Sequence, residues 1–132
     1  MVKSAIIIDP TLPKGLLANS VACITSGLFL DDKELIGTEI QGEGIAFIPI
    51  TKIPILILHP GLKSLKELCE QARRVGLKYM AFTKEAQSTT NYEEYVNRVE
   101  GKSIEEVNLI GLGVIGESKV VNFLVGSLPM LR

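Results

Sequence analysis

Two short runs of unbroken aliphatic residues, Ala5-Ile6-Ile7-Ile8 and Ile55-Leu56-Ile57-Leu58, constrain the fold of this chain more than any other feature. A strand with one wet face alternates apolar and polar residues, whereas a run without alternation needs cover on both faces. Each run ends in a sequence that turns the chain, Asp9-Pro10 in the first case and His59-Pro60-Gly61 in the second. Both are expected to be strands of a sheet that is sandwiched between helices.

The intervening segments supply the helices. After the turn Thr11 to Gly15, the apolar residues Leu17, Val21, Ile24 and Leu28 recur at helical spacing, which predicts a helix of about four turns across one sheet face. The small residues Ala18, Asn19, Ser20 and Ala22 allow it a close approach. Leu62, Leu65, Leu68, Cys69, Ala72 and Val75 mark a second helix, with Arg73 and Arg74 in its last turn and Gly76 placed for a left-handed cap. Lys78 to Phe82 reads as a strand. Thr90-Asn91-Tyr92-Glu93 carries a capping-box pattern that opens a short helix with Tyr92, Tyr95, Val96 and Val99 on one face. A strand over Asn108 to Val114, a helix over Glu117 to Val125 and a strand over Leu128 to Leu131 are expected to close the chain.

Between Asp31 and Pro49, Gly37, Gly42 and Gly44 interrupt the apolar pieces, so an irregular excursion or hairpin is expected there. The apolar stretch Ile45 to Ile50 at its end is expected to pack in the core, with cover of a sheet edge or a symmetric contact as the competing role. Strands alternating with helices define the α/β class. The expected architecture is a three-layer sandwich around a mixed, mostly parallel sheet of about four to five strands. Residues 1–132 form one domain in this reading.

Composition narrows the function. The chain is 46% hydrophobic and 22% charged, with a formal net charge of -1, which argues against binding nucleic acid through many phosphate contacts. No apolar run approaches the ~20 residues of a membrane span, and Met1-Val2-Lys3-Ser4 leads into a strand without a signal-peptide layout. A soluble, cytoplasmic protein without a membrane partner is expected. Both cysteines, Cys23 and Cys69, fall in helical patterns and are expected to be buried free thiols. With His59 as the single histidine and no ligand cluster, neither a metal nor a cofactor is expected.

Gly111-x-Gly113-x-x-Gly116 matches a dinucleotide-binding fingerprint, in which glycines let a pyrophosphate approach a helix N-terminus. That fingerprint also needs an acidic residue about 20 positions onward, and sixteen residues follow Gly116. The expected role is structural: Gly111 and Gly113 admit a close neighbour on the sheet, and Gly116 permits a turn.

Open α/β sheets hold ligands beyond the C-terminal ends of their parallel strands. By that rule Asp9, Lys14, His59, Thr83 and Lys84 are expected to border a cleft together with Gly116, Ser118 and Lys119. The N- and C-terminal segments would then lie side by side. Asp9 and Lys14 are the candidate catalytic residues, and Asn19, His59, Gly116, Ser118 and Lys119 the candidate ligand-binding residues. Each has a plainer role as well: Asp9 can satisfy turn amides, His59 can close a strand, and Lys14 and Lys119 can be solvated surface.

The opening Lys3-Ser4-Ala5-Ile6-Ile7-Ile8-Asp9 with Leu12 to Asn19, and the closing Gly116 to Asn122 with Gly126 to Arg132, resemble the uncharacterised domain-of-unknown-function family numbered two thousand. Gly61 to Gly76 and the Tyr92/Tyr95 segment extend the resemblance over essentially the whole chain. That family is similar in fold to type-two peptidyl-tRNA hydrolases, whose first helix opens with Gly-Lys-x-Ala-x-Gln and whose ending runs from Gly-Pro to Thr-Gly-His-Leu. The resemblance implies a hydrolase-like fold.

The departures from it fall on polar positions. With Gly15 on the helix-opening glycine, Leu16 stands where the hydrolase lysine would be and Ser20 where its glutamine would be. Between Phe82 and Asn108 there is no counterpart of the hydrolases' Asp-Ala-Gly-Arg-Thr segment. The expectation is a homodimer that binds a small anionic or nucleotide-like ligand without cleaving peptidyl-tRNA. The alternative is a diverged hydrolase of an ester or amide linked to tRNA or a nucleotide, with tRNA as a further candidate partner. Asp9 would then be base or orienter, and Lys14 and Lys119 would contact the anion.

Overall fold

The computed structural model describes residues 1–132. In chain order its elements are β1 (Val2–Ile8), α1 (Lys14–Leu28), the short strands β2 (Ile40–Gln41) and β3 (Ala46–Phe47), β4 (Ile55–Leu58), α2 (Leu65–Arg74), β5 (Lys78–Thr83), α3 (Lys84–Gln87), α4 (Tyr92–Val99), β6 (Leu109–Glu117) and α5 (Ser118–Val125). Single 3-10 turns precede β2 and β6.

The main sheet has four strands in the order β4-β1-β6-β5. β4 runs parallel to β1, while β6 is antiparallel to both β1 and β5. Three strands therefore point one way and β6 the other, which makes the sheet mixed. The expected closing strand shrinks to a bridge between Leu58 and Met130, flanked by main-chain bonds from His59 to Pro129 and from Leu131 to Ile57.

Alternation along the two central strands explains the three layers. Ile6 and Ile8 of β1 face α1 and pack on Ile24, whereas Ala5 and Ile7 join Leu68, Ala72, Val121 and Leu124 of α2 and α5 on the opposite face. All four β1 residues are fully buried, as a run without alternation requires. Gly111 and Gly113 lie inside β6 opposite Ile8 and Ile6. A Cβ on Gly113 would stand 2.5 Å from the Ile24 side chain, so the missing side chains are what bring α1 down onto the sheet. Gly116 makes no turn. It continues β6 and pairs with Lys3 of β1, and Leu77 occupies the space of its absent Cβ.

The second helix ends as its sequence foretells. Gly76 takes a left-handed φ of 72°, and the N–H groups of Gly76 and Leu77 donate to the carbonyls of Arg73 and Ala72 in a Schellman pattern. The cap of α4 is displaced by one residue from the expected box of Thr90 with Glu93, because the Asn91 side chain accepts from the Glu94 N–H. Cys69 is buried but Cys23 is exposed, against expectation, since it lies beside rather than on the Ser20-Ile24-Leu28 stripe that α1 buries. The expected hairpin is present as β2 and β3. Its apolar residues do not enter the core: Ile45, Phe47, Ile48 and Ile50 are 50% to 76% exposed.

Candidate functional site

The antiparallel direction of β6 separates the residues expected to meet. Ile8 pairs with Gly111 and Val2 with Glu117, so Gly116, Ser118 and Lys119 sit beside Met1 to Lys3. The Ser118 N–H donates to the Met1 carbonyl at 2.7 Å. Asp9 leaves the other end of β1, about 20 Å away at roughly 3.3 Å per strand residue. The common cleft is thereby corrected: a rule about parallel strands was applied to a strand running the opposite way.

Asp9, Lys14, His59, Thr83 and Lys84 do share the C-terminal end of β1, β4 and β5. Their polar atoms are largely committed to structure. One carboxylate oxygen of Asp9 accepts from the Thr11 N–H at 2.9 Å and the Thr11 hydroxyl at 2.7 Å, a local turn bond. His59 accepts the Gly61 N–H on Nδ1 at 2.8 Å, which places the proton of the neutral ring on Nε2. Lys14 is exposed at the start of α1. The Thr83 hydroxyl caps α3 by accepting from the Ala86 N–H at 3.1 Å.

A hollow of about 720 Å³ lies on the α1 side of the β5 margin. Asn19, Cys23 and Ser26, spaced four and three residues apart, give the α1 wall; Met80 and Phe82 of β5 give the floor. Gln87 at the end of α3 and Asn91, Tyr92 and Tyr95 around the start of α4 complete it. Asn19 is the one expected binding residue that lines this hollow. Its volume falls within the roughly 300–1,000 Å³ of small-molecule sites. No lysine, arginine, histidine or carboxylate is among its lining residues.

Local chemistry fixes the orientation of these groups. Asn91 spends its side-chain oxygen on the Glu94 N–H at 2.8 Å and so keeps its amide protons free. The hydroxyls of Ser26 and Thr89 donate to the carbonyls of Cys23 and Ala86, both at 2.8 Å, leaving lone pairs as acceptors. Tyr92 and Tyr95 meet edge to face, with ring centroids 5.9 Å apart. Tyr95 is half-buried and also borders a smaller hollow of about 250 Å³ on the other sheet face. Burial, with a smaller contribution from Tyr92, pushes its phenol above the ordinary value.

Glu85 secures α3 from the opposite side. It accepts the main-chain N–H of Asn108 at 2.9 Å and the side-chain amide at 3.1 Å. Burial works against the Glu85 charge, but the Asn108 donors outweigh it and hold the carboxyl below its ordinary range. Arg98 ties α4 to the preceding loop through the Ser88 hydroxyl at 2.8 Å, and within α4 it forms an ion pair with Glu94.

Sequence reasoning passed over Gln87, Cys23, Ser26 and Asn91 as functional residues. The available signal was the polar stripe Asn19, Cys23 and Ser26 on a helix otherwise rich in apolar residues, together with the Tyr92/Tyr95 pair beyond the β5 run.

An α/β protein with an uncharged, largely apolar hollow that carries several amides and hydroxyls beside its sheet margin is the class that this fold and site define. The chain belongs to the DUF2000 family of proteins of unknown function, whose pattern matches residues 2–132. It is similar in structure to a protein of unknown function from Agrobacterium tumefaciens strain C58, with a TM-score of 0.89 at 16% identity. That likeness covers 99% of this chain and 98% of the other, and at such identity it speaks for the fold alone. No curated protein matches the chain in sequence. No helix is long and apolar enough to cross a membrane.

Proposed function

We propose that the protein binds a small, uncharged, ring-bearing ligand of nucleoside character between α1, β5 and α4, without cleaving it. The observation that carries this reading is the lining itself: amides, hydroxyls and an aromatic pair around about 720 Å³, with no fixed charge. Aromatic faces with a few oriented amides suit a planar heterocycle. A similarity to type-two peptidyl-tRNA hydrolases belongs to the same proposal, as an analogy of fold that fits a nucleoside-like ligand. The ligand's anionic part has less support, because Lys14 and Lys119 lie outside the hollow. Hydrolysis has less support still, since the one strong nucleophile in the lining, Cys23, has no histidine or carboxylate beside it there.

Calorimetric titration with uridine, inosine and adenosine, and with their 5′-monophosphates, tests the proposal. At least one free nucleoside is expected to bind as well as its monophosphate. Binding by monophosphates only, or by no member of the set, would overturn the reading.

A homodimer is a second proposal, supported by the exposed hairpin. A two-stranded hairpin is marginal by itself, and Ile40, Ile45, Phe47, Ile48 and Ile50 on and beside it are each at least 50% exposed. A second copy laid on that surface would remove them from water. Sedimentation at micromolar concentration is expected to give a dimer for the wild type and a monomer for Ile48→Asp. A monomeric wild type would end the proposal.

A further inference from the structure

The geometry points to Gln87 as the residue that sets which rings the hollow accepts, an inference that rests on the ligand class proposed above. Its amide nitrogen donates to the Leu16 carbonyl at 3.2 Å and to the Ser20 hydroxyl oxygen at 2.9 Å. A carbonyl can only accept, and Ser20 spends its own proton on that same carbonyl at 2.7 Å. A flipped amide would set oxygen against two acceptors, so the network itself assigns the nitrogen to the α1 side. Ser20 is fully buried and Gln87 half-buried, so the bond between their side chains is shielded in part from water.

The two acceptors lie only 2.7 Å apart, so a single Gln87 N–H serves both as a forked bond, while its Oε1 has no partner in the chain and is left as an acceptor on the wall of the hollow. The other two lining amides have the opposite bias. Asn91 commits its oxygen to the α4 cap and Asn19 turns its oxygen toward the Cys23 thiol, so each offers free N–H donors. One preset acceptor facing free donors calls for a ligand that carries an N–H beside a carbonyl. That is the edge of a cyclic amide, as in uracil-type or hypoxanthine-type rings. A ring without the N–H would leave the Gln87 oxygen desolvated and unpaired, an asymmetry that disfavours it by about tenfold or more.

Titrations of uridine against 3-methyluridine and of inosine against 1-methylinosine test this, because each pair differs by replacement of the amide N–H. The wild type is expected to prefer the N–H member of at least one pair by about tenfold or more. Gln87→Leu should abolish that preference, and Ser20→Ala should weaken it by removing one of the two acceptors that hold the Gln87 amide and letting the amide turn. Equal binding of both members by the wild type would overturn the role of Gln87 while leaving the nucleoside reading intact; no binding of any member would overturn both. A Gln87→Leu protein that keeps the full preference would also defeat the inference. If that variant fails to fold, the ligand-free wild type still decides through the Gln87 side-chain amide protons in nitrogen-15 spectra. Slow solvent exchange is expected, and rapid exchange would show that the anchor does not exist.

Discussion

The centre of the sheet and its β5 margin are built on opposite terms. At the centre, β1 and β6 pair residue for residue from Val2–Glu117 to Ile8–Gly111, and helices close both faces over side chains such as Leu112 and Val114 that are wholly buried. At the margin, α4 buries none of its residues and is held by a side-chain cap, the Arg98 bond to the Ser88 hydroxyl and the half-buried Tyr95. Stability therefore concentrates in the first region, and open polar groups concentrate in the second. A dense interior leaves no room for a ligand, whereas a margin assembled from caps presents amides whose orientation is already fixed.

The largest effect that can break this contrast is expected at Gly113. An alanine Cβ there would stand 2.5 Å from Ile24 and 3.3 Å from Leu28, so α1 must lift or both side chains must leave their rotamers. Gly113→Ala is expected to lose about 1–3 kcal/mol in chemical denaturation, as overpacked cores do. A loss below about 0.5 kcal/mol, the size of an ordinary surface change, would mean that α1 rides loosely and that the centre is not the rigid part.

Asn91→Ala probes the margin. Removing a helix N-cap typically costs ~1 kcal/mol, but α4 lies outside the core clusters, so the cost should appear locally. Hydrogen exchange is expected to speed up in residues 92–99 while the β1 and β6 amides keep their protection. Equal loss in both places would show that the margin unfolds with the centre, and the division between them would fail.

The same contrast explains what could be read from residues alone. β1 and β4 were legible because full burial writes an unbroken aliphatic run, and α2 because its apolar stripe ends in the glycine that its cap requires. The direction of β6 was not, since Leu109 to Ile115 would be equally apolar beside β1 in either orientation, and direction alone sends Gly116, Ser118 and Lys119 to the far end. The four residues of α3 are too few to show a helical period, so Gln87 had no element to stand on. Asn19 lines a hollow, but one at the sheet margin rather than at the strand ends where the cleft was expected. Thr90 and Asn91 are both good caps, and a choice between neighbours is decided by which one adopts the extended backbone.

The smallest expected effect is on pH dependence, and it separates the two attachments of the margin. Glu85 is held below its ordinary value of 4.5 by the Asn108 donors, with Lys84 adding a lesser electrostatic push in the same direction. A carboxyl depressed in the folded state contributes its stability above the unfolded value, and that contribution disappears as pH falls through the folded one. Tyr95 is the reverse case: its phenol is raised above 10.0, so its contribution is complete below the unfolded value and is lost as pH rises toward the folded one. Exchange at α3 is thus expected to quicken below about pH 4.5, and exchange at α4 above about pH 10. The paired amides of β1 and β6, corrected for the intrinsic pH dependence of exchange, should hold their protection at both limits. Glu85→Gln should remove the acid limb and leave the alkaline one, while Tyr95→Phe should do the opposite. If either substitution flattened both limbs, α3 and α4 would be one cooperative piece, and Gln87 and Tyr95 could no longer be treated as independently mounted walls of the hollow.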